Sequence, residues 1–117
     1  MTLATVGDYV VEARRLLQDK NAPYRYSDNE IVMALNLAIG EGRRARPELF
    51  QQYFETDLPM YYADEDDELV DIPPMYRMAF LYFIVGHSQL ADQEDTVDQR
   101  SAALLTKFIS QLLSLPS

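Results

Sequence analysis

The stretch from Met75 to Leu90 is apolar almost all the way round. Met75, Met78, Ala79, Phe80, Leu81, Tyr82, Phe83, Ile84 and Val85 leave little polar face for water. A helix of that kind is stable only when neighbours cover most of its circumference. Pro73-Pro74 just before it suits a first helical turn, where a fixed φ helps and a missing N–H costs nothing. Its longest uncharged apolar run, Met78 to Val85, has eight residues, whereas a membrane span needs about 20. The cover must therefore come from other parts of the chain, and this segment is the expected centre of a helical body.

Three further segments carry a helical period. Val6, Tyr9, Val10, Ala13, Leu16 and Leu17 fall on one face of a first helix, with Thr5 as cap and Asp8 at the positive end of the dipole. Asp8, Glu12, Arg15 and Asp19 take its wet side, and Asn21-Ala22-Pro23 is expected to end it. Ser27-Asp28-Asn29-Glu30 reads as a capping box for a second helix. Its core stripe is Ile31, Ala34, Leu35, Ala38, Ile39 and Gly42, while Met33 and Leu37 form a second apolar line on another side. A helix with two such lines touches more than one neighbour. The second line either meets another subunit or is buried within one small bundle, and the sequence leaves both open. Gly40 and Gly42 each cost up to about 1 kcal/mol relative to Ala unless close packing requires them. Arg43, Arg44 and Arg46 suit the negative end of this helix, and Pro47 stops it. Asp95-Thr96-Val97-Asp98 starts a fourth helix, whose stripe is Val97, Leu104, Leu105, Phe108, Ile109, Leu112 and Leu113.

Between the second and third helices the period is lost. Phe50, Tyr53 and Phe54 lead to Leu58-Pro59-Met60-Tyr61-Tyr62, then to the acid run Asp64-Glu65-Asp66-Asp67-Glu68, then to Leu69-Val70. Aromatic residues flanking a polar tip suggest a long arm, with a β-hairpin as its candidate form. The fold class is accordingly all-α. We expect a four-helix bundle in a single domain over 1–117, with helices at about 5–19, 28–46, 74–92 and 96–114 and an arm at about 50–72.

Charge and residue chemistry exclude several roles. The net charge is −9 over 117 residues, and eight of the 19 acids lie between Glu55 and Asp71 with no base among them. The rest of the chain is close to neutral. Binding nucleic acid or an anionic membrane calls for Lys and Arg, so neither is the expected role. The first residues have no cationic start and no apolar core of the kind a signal peptide carries. The absence of Cys excludes disulfides and Cys-ligated zinc. His87 is the only imidazole and has no nucleophile or carboxylate placed beside it by spacing, so a structural or solvent-facing role is expected. There is no phosphate-binding glycine loop, no His-x-x-x-His and no Glu-x-x-His pair. An EF-hand loop begun at Asp64 would need Gly and Glu where Leu69 and Met75 stand. No enzyme activity, metal or cofactor is expected. The arginine trio either complements its helix dipole or meets a carboxylate-rich surface, such as the acid arm of a neighbouring copy. Tyr53, Tyr61, Tyr62, Tyr76 and Tyr82 are divided between local packing and interfaces in the same way.

Several stretches stand in a telling order. They are Ala13-Arg14-Arg15-Leu16-Leu17-Gln18-Asp19, Tyr26-Ser27-Asp28-Asn29-Glu30-Ile31, Ala34-Leu35-Asn36-Leu37-Ala38 and Arg44-Ala45-Arg46-Pro47-Glu48-Leu49. Ile72-Pro73-Pro74-Met75-Tyr76 and two C-terminal helices joined at Asp92-Gln93-Glu94-Asp95 follow. This order resembles the small head–tail connector, or adaptor, proteins of tailed bacteriophages, most nearly those of short-tailed phages. The acid run is denser than that pattern demands, and the short C-terminus leaves no counterpart for a long portal-gripping extension. The resemblance implies a non-catalytic virion protein of the head–tail neck, assembled in the host bacterial cytoplasm. It implies a homo-oligomeric ring of typically about twelve copies between the portal protein and the tail hub or nozzle, with DNA passing through unbound by sequence. Under that reading the partner interface would draw on Arg43, Arg44, Arg46, Met33, Leu37, Phe50, Tyr53, Phe54, Tyr61 and Tyr62. Asp64, Glu65, Asp66, Asp67 and Glu68 would face the channel and repel phosphates. The alternative is an acidic DNA mimic that occupies the basic groove of a DNA-binding partner, and a small metal-dependent enzyme is the weakest reading.

Overall fold

A computed structural model describes residues 3–19, 26–54, 56–91 and 99–114. The described chain is mostly helical, with α1 (Val6–Leu17), α2 (Asp28–Ala45), α3 (Arg77–Ala91) and α4 (Gln99–Ser114). Short 3₁₀ segments at Pro47–Tyr53 and Pro74–Tyr76 precede an irregular stretch at 57–73 and α3 respectively. α3 packs against each of the other three helices, as its all-round apolar surface requires. Ala79, Phe80, Leu81, Ile84 and Val85 of α3 are wholly buried. Phe80 meets Phe50 and Phe108 edge to face, at 6.3 and 5.3 Å between ring centres, and Phe108 continues to Phe83 at 5.0 Å. Edge-to-face contacts of this kind add roughly 0.5–1.5 kcal/mol each beyond the area they bury.

The helix starts follow their local chemistry. Thr5 accepts the Asp8 N–H, and the Asp8 carboxylate accepts the Thr5 N–H, which completes a capping box on α1. α1 ends at Gln18, whose φ of 58° is left-handed, so the chain turns there; the expected stop at Asn21-Ala22-Pro23 lies outside the described residues. Ser27 accepts the Glu30 N–H at 3.1 Å at the start of α2. The expected Asp95 cap of the fourth helix also lies outside the described residues.

Two arginines fasten the helices together. Arg14, buried, donates to Asp19 Oδ2 at 3.0 Å, to the Tyr26 carbonyl at 2.9 Å, and to Asp28. Asp19 also accepts the Tyr26 N–H at 3.0 Å, so the end of α1 and the start of α2 share one satisfied polar cluster. Arg46 donates to the Leu112 carbonyl at 2.7 Å and to Glu48, and its guanidinium lies 5.8 Å from the Tyr76 ring centre. It thereby joins the end of α2 to α4 and to the turn before α3, and it quiets an orphan carbonyl near the α4 C-terminus.

Gly42 has a packing reason and Gly40 has none. A Cβ on Gly42 would lie 2.6 Å from Phe80 Cζ, whereas one on Gly40 would meet nothing within 4 Å.

The expected β-hairpin arm is not seen. Residues 47–53 form the first 3₁₀ segment, and 57–73 run as an irregular strap past α1 and α2, with turns at 63–64 and 66–67 closed by the Glu65 N–H to Tyr62 carbonyl and Glu68 N–H to Glu65 carbonyl bonds. Its one sheet-like feature is an isolated antiparallel bridge between Thr5 and Leu69. The Val70 N–H donates to the Ala4 carbonyl at 2.8 Å, while Val6 N–H and Gly7 N–H donate to the Glu68 and Asp66 carbonyls at 3.0 Å each. First-turn N–H groups of a helix lack intrahelical acceptors. The strap supplies two of them for α1 and sets Asp66 and Glu68 beside the positive end of its dipole. Hairpin pairing within the strap would leave those N–H groups without these acceptors, which accounts for the departure from expectation.

Candidate interaction surface

Asn36 positions the middle of the strap. Its side-chain amide donates to the Tyr61 carbonyl and accepts the Tyr61 N–H, both at 2.9 Å. The Tyr61 ring then enters the core and its hydroxyl accepts the Asp71 N–H at 3.0 Å; burial pushes that phenol's pKa up. Fixing Tyr61 in this way forces its neighbours Met60 and Tyr62 outward, 60% and 54% exposed. Across from them stand Met33 and Leu37 of α2, 63% and 46% exposed. Val32, Asn36 and Ala63 floor the space between, and Asn29 and Asp64 close one end of a groove of about 750 Å³. Among the described residues, the second apolar line of α2 is therefore left uncovered.

The other expected interface residues divide sharply. Phe50, 2% exposed, and Tyr61, 5% exposed, belong to the core, which removes them from the surface set. Tyr53 is half-buried and donates to Asp71 Oδ2 at 2.7 Å; that bond, more than burial, pushes its pKa up to about 12. Arg46 is engaged inside the molecule as described, and its bond to Glu48 holds that carboxyl below its usual range. Phe54 is 79% exposed, Arg43 is half-buried, and the Arg44 side chain is 81% exposed, 3.5 Å from Glu41. Asp64 to Glu68 are all exposed, with their backbone pinned.

Helical period misassigned two residues of the fourth helix. Phe108 and Leu112 are buried, but Ile109 and Leu113, expected on the same stripe, are 40% and 58% exposed. Each follows a buried neighbour by one position, a rotation of about 100° that carries it off the covered face. With Leu105 and Thr106, Ile109 borders a shallow outer trough on α4. Met60 is a surface residue that the sequence does not mark: it sits within the run Pro59-Met60-Tyr61-Tyr62, and only the pinning of Tyr61 shows which side it takes.

The remaining candidates are quiet. His87 stacks on Phe83, with ring centres 5.6 Å apart and planes 7° from parallel. Among the described residues no three of His, Cys, Asp and Glu converge to hold a metal, and no helix is long and apolar enough to cross a membrane. The Tyr9 hydroxyl is buried without a hydrogen-bond partner among the described residues, and desolvation raises its pKa. What the exposed groups offer chemically is association. Covering a Leu or Met side chain fully contributes about 1.5–3 kcal/mol relative to leaving it in water.

Comparison with family models, curated proteins and solved structures gave no match.

Proposed function

We propose that this chain is a non-catalytic virion protein of a tailed phage, an adaptor whose copies form a ring between the portal and the tail hub or nozzle. The observation that carries the reading is the outward line of α2. Met33 and Leu37 stay open to solvent beside Met60 and Tyr62, although the same helix buries six other apolar or glycine positions of its inner stripe. A closed ring needs two unlike surfaces on each subunit. The groove is one, and the exposed rows of α4 and Arg44 provide material for another. The motif order supports the phage assignment, and the helical body is compatible with the four-helix adaptor domain it implies. In the ring, the pinned acids of the strap would line the channel and keep DNA phosphates from adhering.

The test is mass. The free protein, and then its mixture with portal rings, are measured by light scattering. Self-association, or saturable binding of multiple copies to the portal, supports the proposal. A monomer that ignores portal, hub and nozzle alike, or one that turns over a substrate, overturns it.

A second reading gains from one observation. A DNA mimic needs acids held on a rigid frame, and Asp66 and Glu68 are held by backbone bonds to α1. Inhibition of a DNA-binding protein by the isolated monomer would favour it.

A further inference from the structure

The molecule has two apolar poles of opposite charge. At one, the groove of Met33, Leu37, Met60 and Tyr62 ends against Asp64, where the acid run of the strap begins. At the other, the bond from Arg46 to the Leu112 carbonyl ties the end of α2, where Arg43 and Arg44 stand, to the C-terminal end of α4, whose outer row begins one position away at Leu113. That row is Leu105, Ile109 and Leu113, spaced i, i+4, i+8, with the last two exposed. Lys107, whose ammonium lies 4.5 Å from the Tyr82 ring centre, is the only charged residue from Ala102 to Ser114. Met33 and Arg44 lie about 16 Å apart along the α2 axis, at 1.5 Å per residue. The two poles are therefore too far apart to cover each other within one molecule.

We propose that the groove is filled by a second copy of this chain: the α4 row of one molecule lies in the groove of the next, with Arg44 of the first against Asp64 of the second. A row of apolar side chains at i, i+4 and i+8 is what a groove alongside a helix accepts. The opposite charges at the two rims fix the direction, because turning one molecule round would set acid against acid and turning the other would set base against base. The contact is heterologous, so it propagates from copy to copy and closes if the rotation allows. This rests on the ring reading above and names the two faces that reading requires.

The chain has no Cys, so single cysteines report contacts cleanly. Leu37→Cys and Leu113→Cys, both at exposed positions, are purified, checked for unchanged melting, mixed and oxidised briefly. Disulfide between the two different variants is expected to dominate over either variant linked to itself. Predominance of Leu37→Cys pairs would mean groove meets groove and would overturn the proposal. In parallel, Arg44→Glu is expected to weaken self-association about tenfold and to regain it when mixed with Asp64→Lys. Absence of that rescue together with no mixed disulfide overturns the head-to-tail contact. If the protein still oligomerises in that case, the ring reading survives it. If labelling of Leu37→Cys is blocked only when portal is added, the groove belongs to the portal and the proposal fails while the adaptor reading stands. A monomer that neither cross-links nor binds portal ends both.

Discussion

The two apolar lines of α2 are made of similar residues and have opposite fates. Ile31, Leu35, Ala38 and Ile39 are at most 1% exposed, locked against the aromatic core around α3. Met33 and Leu37, on the same helix, remain 63% and 46% exposed. Under the proposed function, hydrophobicity does two jobs along one element. The inner line holds the chain to itself, and the outer line is proposed to meet a neighbour. Substitutions on the two lines should separate stability from association.

The largest effect belongs to the inner line. Ile39→Ala should lower unfolding free energy by about 2–5 kcal/mol, the usual loss for an emptied core site, read by urea denaturation. Asn36 sits at the boundary between the lines, and its loss should be intermediate. Asn36→Ala removes both amide bonds to Tyr61 and should cost about 1–3 kcal/mol, with faster amide hydrogen exchange at Tyr61. The two glycines sharpen the comparison by sign. Gly42→Ala forces a methyl onto the Phe80 ring and should destabilise by about 1–3 kcal/mol, while Gly40→Ala should stabilise by up to about 1 kcal/mol, both read by thermal melting. The smallest stability change is on the outer line: Met33→Ser with Leu37→Ser should stay within about 0.5 kcal/mol of the parent.

Much of the fold was legible because its signals are local. Thr5 with Asp8, Ser27 with Glu30, and the unbroken apolar surface of α3 each depend on residues within a turn or two. The strap was illegible because its order comes from distant partners. Asn36 reaches Tyr61 across 25 positions, and Ala4 accepts from Val70 on the far side of α1 and α2 in the sequence. Aromatics in a segment without period carry no facing information, so Phe50 and Tyr61 read as surface although they are core. The reverse happened at Ile109 and Leu113, where a generous helical stripe swept two outward residues in with Phe108 and Leu112. Of the candidate surface, Met33, Leu37, Tyr62 and Arg44 were named from the sequence, and all four are exposed. Met60 and the outer row of α4 needed the packing.

Sedimentation velocity of the parent and the Met33→Ser, Leu37→Ser variant over the same concentration series tests most directly whether the outer line joins copies. The parent should grow in mass with concentration while the folded variant remains monomeric. Identical sedimentation of the two would contradict the account.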